Sequence, residues 1–280
     1  MKQDFEIIDS HVHYWQAASA ARPWDPHALS PAPVPLSAEQ VLALTGAAGV
    51  DRVVQVVPSL MGYDNRYALE AAQAYPERIA GVFARVDPLA ADVRQVLATL
   101  AATPKFSGIR LALLTPLQLS WFHDATLAPV FEAAERYGFP IAIYAKGYAK
   151  KIAALARLYP GVKLLVDHMA TNHLDAQPFA NWSDMLALRS LANIWIKVSH
   201  LPELCHAEGF PYPRGQQYFQ ELLEVFGADR LIWGTNYPPS SKACSYQQSV
   251  DFALLATRGL QRDERAKIFS GNLLRAITLR

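Results

Sequence analysis

The chain of 280 residues contains only two cysteines, Cys205 and Cys244. Two isolated thiols build neither a disulfide framework nor a cysteine metal site. No apolar run approaches the ~20 residues that a membrane-crossing helix needs. Neither sign of charge is in excess: 26 basic side chains face 25 acidic ones, for a net charge of +1. That balance argues against a nucleic-acid or anionic-membrane partner. No linker, low-complexity tract or second domain is visible. No G-x-G-x-x-G follows the first strand, so a doubly wound dinucleotide fold lacks its main signature. The N-terminal residues pass almost at once into a strand pattern, so no signal peptide and a cytoplasmic location are expected.

What the chain does have is core-forming material, 51% hydrophobic and 18% charged. Short β-branched runs alternate with helical segments. Eight runs read as strands: Glu6 to Ser10, Arg52 to Val57, Ile79 to Val86, Gly108 to Leu113, Pro140 to Ala145, Lys163 to Asp167, Ile194 to Ser199 and Leu231 to Gly234. Ser37-x-x-Gln40 is a capping box that opens a helix. Helices over Leu127 to Tyr137, Tyr148 to Tyr159 and Gln217 to Phe226 each stop at or near a glycine, and Asp263 to Leu279 reads as a closing amphipathic helix. Eight β-α repeats in this length predict an α/β fold, a single-domain (β/α)8 TIM barrel over residues 1–280. Tyr14 to Leu36 breaks the rhythm as a long loop after strand one, with Trp15, Trp24 and five prolines. Loops of this length are commonly lids or binding loops.

Polar residues gather at the strand ends. His11 and His13 stand two apart on strand one, so both imidazoles share one face. Arg110 lies on strand four, and Tyr144 and Lys146 end strand five. Asp167 and His168 end strand six, Lys197 and His200 flank the end of strand seven, and Asn236 follows strand eight. Each has a bland alternative: a lone His168 as a satisfied structural residue, Arg110 and Lys197 as interior ion pairs, Tyr144 as packing. Burying all of them separately would cost several kcal/mol apiece, roughly, so one shared pocket at the C-terminal mouth is the economical reading. His27, His123, His173 and His206 fall in helices or loops and are set aside.

These motifs resemble the amidohydrolase superfamily, in its amidohydrolase-related branch of lactonases and decarboxylases. Ile8-Asp9-Ser10-His11-Val12-His13 is similar to the family's opening strand. Gly108-Ile109-Arg110, Val166-Asp167-His168-Met169, Ile196-Lys197-Val198-Ser199, Arg230 to Pro238 and Ile268 to Arg275 resemble later signatures in the same order. The wording is nearest to pyrone-dicarboxylate and sugar-lactone hydrolases. The resemblance implies hydrolysis of a lactone from sugar-acid or aromatic catabolism. His11, His13 and His168 would polarise the carbonyl or relay protons, with Asn236 at the water-activating position. Arg110, Tyr144, Asn65, His200 and Trp24 would contact the substrate.

Two departures qualify this. The family usually carries aspartate where this chain has Asn236, and an amide cannot take a proton near neutral pH. If the position keeps its family role, Asn236→Asp raises turnover. Nor do the loops after strands four and seven offer the extra arginines of a dicarboxylate site, so the substrate is expected to carry at most one anionic group, facing Arg110. No metal is expected to be required; zinc or manganese on His11 and His13 is the alternative, because the strand-five histidine and strand-eight aspartate of a full site are missing. The competing activities are metal-dependent non-oxidative decarboxylation and a catalytically impaired, ligand-binding barrel. The expected partner is a small-molecule substrate, with a homo-oligomer left open.

Overall fold

The computed structural model describes residues 3–28, 34–171 and 181–277. Eight strands form one parallel sheet in sequence order: β1 Ile8–Val12, β2 Arg52–Val56, β3 Ile79–Ala84, β4 Phe106–Ala112, β5 Ile141–Tyr144, β6 Leu164–Val166, β7 Ile194–Val198 and β8 Leu231–Trp233. Helices on the outside connect them, as parallel pairing demands. The main ones are Ala38–Ala47, Arg66–Ala74, Val93–Ala102, Ala128–Tyr137, Ala149–Leu158, Pro213–Phe226 and Tyr246–Ala256. The sheet closes where the Asn236 N–H donates to His11 O at 2.9 Å and the His13 N–H to Tyr237 O at 2.8 Å. The architecture is the expected (β/α)8 barrel.

Local chemistry explains the element ends. Ser37 and Gln40 form the capping box, and Gly138 stops its helix in the left-handed conformation at φ 76°. Most element ends differ from expectation by one or two residues, and three differences have an identifiable local feature. Strand one runs to Val12, because the ladder with β2 continues through Val12↔Gln55. The helix before β8 starts at Pro213, where proline's missing N–H costs nothing. The closing helix is not continuous: a π turn, Lys267–Gly271, separates Arg262–Ala266 from Asn272–Ala276. Among the described residues, no helix is long and apolar enough to cross a membrane.

The barrel interior is layered by the two-residue period of its strands. Its lower layer is apolar, with Ile8, Val54, Phe83, Ala142, Leu165 and Ile232 in one buried cluster. One step further along the same faces come Arg85, Tyr144, Asp167 and Gly234. Gly234 is required at this level: a Cβ there would stand 2.6 Å from Ser10 Oγ and 3.1 Å from the His11 backbone nitrogen.

Candidate active site

The polar layer is built around Asp167, fully buried just past β6. Lys197 Nζ from β7 lies 3.0 Å from its carboxylate, Arg110 Nε from β4 3.3 Å, and His11 Nδ1 from β1 3.5 Å. Burial pushes the Asp167 carboxyl up, but Lys197, His11 and Arg110 outweigh it and hold it well below the usual carboxylate range. Lys197 is itself fully buried, and its ammonium donates to His11 Nδ1 at 2.9 Å. Asp9 anchors β1 to the β8 loop, accepting from the His11 and Thr235 N–H groups, the Thr235 hydroxyl and the Tyr246 hydroxyl.

His11, itself part of this cluster, is flanked by two more imidazoles, edge-on to His13 and tilted against His168. The His11 ring centroid lies 4.9 Å from that of His13 and 4.6 Å from that of His168. Burial drives all three toward the neutral form, His13 down to about 3. His13 Nδ1 must donate to the Val56 carbonyl at 2.6 Å, because a carbonyl only accepts. His168 Nδ1 meets Ser199 Oγ at 2.8 Å, and the Ser199 hydroxyl has the Lys197 carbonyl as its own acceptor at 3.5 Å. Both rings are thereby set with Nε2 as the acceptor atom. His11 is the opposite case: Nδ1 accepts from Lys197, so Nε2 carries the proton, buried with no protein partner.

A pocket of about 620 Å³ opens over this layer at the C-terminal mouth. His13, Trp15, Arg110, Tyr144, His168, His200, Glu203 and Asn236 line it, with Lys146 and Lys242. His200 Nδ1 lies 2.6 Å from Glu203 Oε2 and 2.9 Å from the Asn236 side-chain amide. Left-handed backbone concentrates here, at His168 (φ 53°), His200 (φ 83°) and Asn236 (φ 62°). Such non-glycine residues cost roughly 1–2 kcal/mol each and persist where the surroundings fix them, as active sites do.

The structure thus gathers His13, His168, Asn236, Arg110, Tyr144 and His200 around one pocket. Three expected residues lie elsewhere. His11 is fully buried beneath the pocket, because Lys197 and Asp167 draw its ring into the charge cluster. Asn65 is a structural brace, its amide bonded in both directions to the Arg85 backbone at 2.8 Å. Trp24 is turned to the Gln16 carbonyl, to which its indole N–H donates at 2.9 Å. His173 lies outside the described residues, as do Pro31 and Pro33 of the long loop.

Three residues that line the pocket, Trp15, Glu203 and Lys242, were missed as site residues, and a buried cation, Arg85, was not singled out. Trp15 sits two residues beyond His13, and that spacing was the available signal. Glu203 is three residues from His200 at the start of the Leu201–Leu204 turn, a helical-neighbour spacing. Lys242 arrives on a short turn after β8 and left no periodic trace. Arg85 follows Phe83 by one period, just past the end of β3. It is 6% exposed, with Nη1 buried and without a hydrogen-bond partner, and among the described residues no carboxylate pairs with it. Burial and the Arg110 charge lower its pKa to about 10. Arg110, for its part, already shares Asp167, so it is not the solitary cation the sequence suggested.

As metal ligands, His11 and His13 make a poor pair. Among the described residues no three His, Cys, Asp or Glu side chains are grouped to hold an ion. Lys197 holds His11 with its proton on Nε2, so that ring offers no free donor nitrogen; His13 is left with Nε2 alone, and the neighbouring ammonium and guanidinium groups would repel a dication. The donor set does not fit a mononuclear centre.

Residues 8–276 match the family described as amidohydrolase. The chain is 30% identical over 280 residues to an L-fucono-1,5-lactonase of Burkholderia ambifaria, covering 95% of this chain and 93% of that protein. It is 26% identical over 239 residues to a 4-sulfomuconolactone hydrolase of Rhizobium radiobacter, covering 83% and 75%. In fold it is similar to a crystal structure of an amidohydrolase from Burkholderia multivorans with bound zinc, at a TM-score of 0.83, 20% identity and coverage of 97% and 98%. With the barrel, the paired histidines on β1 and the polar mouth in place, the chain belongs to the amidohydrolase family.

Proposed function

We propose that this protein is a hydrolase that opens a small lactone, adding water across the cyclic ester. The observation that carries the reading is the pocket itself, where neutral imidazole acceptors face fixed donors at the mouth of a barrel related to two lactone hydrolases. Arg110 and the Tyr144 hydroxyl are the groups suited to an oxyanion. Burial pushes the Tyr144 hydroxyl up, so it keeps its proton and donates. His13 and His168, set as acceptors, suit substrate hydroxyls rather than an oxyanion, which favours a polyhydroxy sugar lactone. Trp15 offers a flat apolar wall to the ring. Among the lining residues Arg110, Lys146 and Lys242 outnumber Glu203, which favours a substrate or product carrying a carboxylate. The donor set supports a reaction that needs no metal.

The test is a pH-stat assay of the purified protein on a lactone panel that includes L-fucono-1,5-lactone, other sugar lactones and unsaturated carboxylate lactones, with metal analysis before and after chelation. The expected result is ring opening that chelator leaves unchanged. Failure on every lactone would overturn the reading. Loss of activity on chelation, restored by zinc or manganese, would overturn its metal independence.

A further inference from the structure

We infer that His200, oriented by Glu203, is the general base that takes a proton from the attacking water, in place of a carboxylate at position 236. The inference rests on the lactone-opening reading and names the group that reading leaves unassigned. Asn236 cannot do it, because an amide has no basic atom near neutral pH. His13 and His168 present acceptor atoms but are driven far toward the neutral form by burial, which makes them weak bases. His200 differs in having a carboxylate partner at the rim of the same pocket, with a side-chain exposure of 13%.

The inference requires one tautomer. Nδ1 lies 2.6 Å from Glu203 Oε2, and a carboxylate can only accept, so the proton must stand on Nδ1. The Asn236 side-chain nitrogen stands 2.9 Å from the same Nδ1, so this tautomer also requires the Asn236 amide to turn its oxygen toward the ring. Nε2 is left as the basic atom. An acid–imidazole pair of this kind holds the ring and stabilises the imidazolium that forms. Glu203 stays ionised: burial raises its carboxyl, but His200, Lys146 and Lys242 lower it further. The other groups facing His200 are His168 at a ring distance of 5.1 Å, with Tyr144, Arg110 and Asp167 behind it.

The step balances as follows. Nε2 removes a proton from water as the water oxygen bonds to the lactone carbonyl carbon and the carbonyl electron pair moves onto its oxygen. That pair then returns, the ring C–O bond breaks, and the His200 imidazolium gives its proton to the departing ring oxygen. The product is the open hydroxy acid, which loses its acidic proton to solvent. His200 is the catalytic residue and Glu203 a positioning residue.

The experiment compares wild type with His200→Asn, chosen because φ 83° suits asparagine, and with Glu203→Gln, Glu203→Asp and Asn236→Asp. His200→Asn should lose about 10²–10⁴-fold in kcat with little change in KM. Glu203→Gln should lose at least about tenfold in kcat with KM little changed. Glu203→Asp should recover most of that loss. Glu203→Gln within about threefold of wild type in kcat would overturn the inference, on the tenfold loss expected of a general-base pair. So would an Asn236→Asp variant that gains turnover even when His200 is replaced. If no lactone is opened, the lactonase reading fails by itself, and imidazole nitrogen NMR still judges the pair. An Nδ1–H tautomer for His200 in the wild type supports it; an Nε2–H tautomer overturns it.

Discussion

Replacing Asp167 by asparagine removes the one carboxylate from a buried cluster that otherwise holds Lys197, Arg110 and His11. The shape is kept and only the charge is lost. At an effective dielectric of about 20, contacts of 3.0 and 3.3 Å are each worth roughly 5 kcal/mol of attraction before desolvation is counted. The carboxylate, Lys197 and Arg110 have side-chain exposures of 0%, 0% and 8%, so screening by solvent is minimal. Breaking one partner out of a buried pair costs about 3–5 kcal/mol, because the remaining charge is stranded. For a chain of this size each kcal/mol corresponds to roughly 2 °C or slightly more, so Asp167→Asn should melt about 6–10 °C below wild type. The assay is urea denaturation at pH 7 with a parallel thermal melt. The double replacement Asp167→Leu with Lys197→Met should recover most of the loss, since it removes the pair rather than one member. An Asp167→Asn variant within about 0.5 kcal/mol of wild type would refute the reasoning, because it would mean that water reaches the cluster and screens it.

Other consequences follow from the same geometry. Gly234→Ala should destabilise the barrel by at least about 2 kcal/mol by urea midpoint, because its methyl group would meet the β1 backbone and Ser10. Arg85→Met should raise the melting temperature, since it removes a buried cation with no carboxylate partner among the described residues. Stability should begin to fall below about pH 6.5 rather than below 4, as urea midpoints from pH 8 to 4 will report. His11, His13 and His168 have folded pKa values below the ordinary imidazole value, His13 about 3. Between that value and about 6.5 the unfolded chain therefore binds more protons, and acid favours it. The contribution of Asp167, whose folded pKa is depressed, is present above about pH 4 and is lost only below it. Midpoints that stay flat from pH 8 to 5 would contradict the neutral imidazoles.

Much of the site was legible because a strand is a ruler. His11 and His13, Asp167 with His168, Lys197 and Asn236 all stand at the ends of apolar runs, and a parallel barrel must bring such ends to one rim. Trp15 and Arg85 were available from the same period-two rule and differ from the named residues only in lying one step past an obvious motif. Asn65 and Trp24 were misplaced because a loop has no such ruler. Their side chains spend their hydrogen bonds on the local backbone, at Arg85 and at Gln16.

By itself the sequence determined the eight-strand α/β barrel, the mouth at which the polar side chains gather and the amidohydrolase kinship. Periodicity, capping and turn residues act over a few positions and can be read without the rest of the chain. Only the tertiary structure decided which nitrogen of His11, His13 and His168 is free. Those choices depend on Lys197, Val56 and Ser199, which all lie tens of residues or more from the ring they set. It also sank His11 below the pocket and placed Glu203 against His200. Hydrogen bonds between strand ends are made only once the barrel closes, so the chemistry of the site is a property of closure rather than of any one segment.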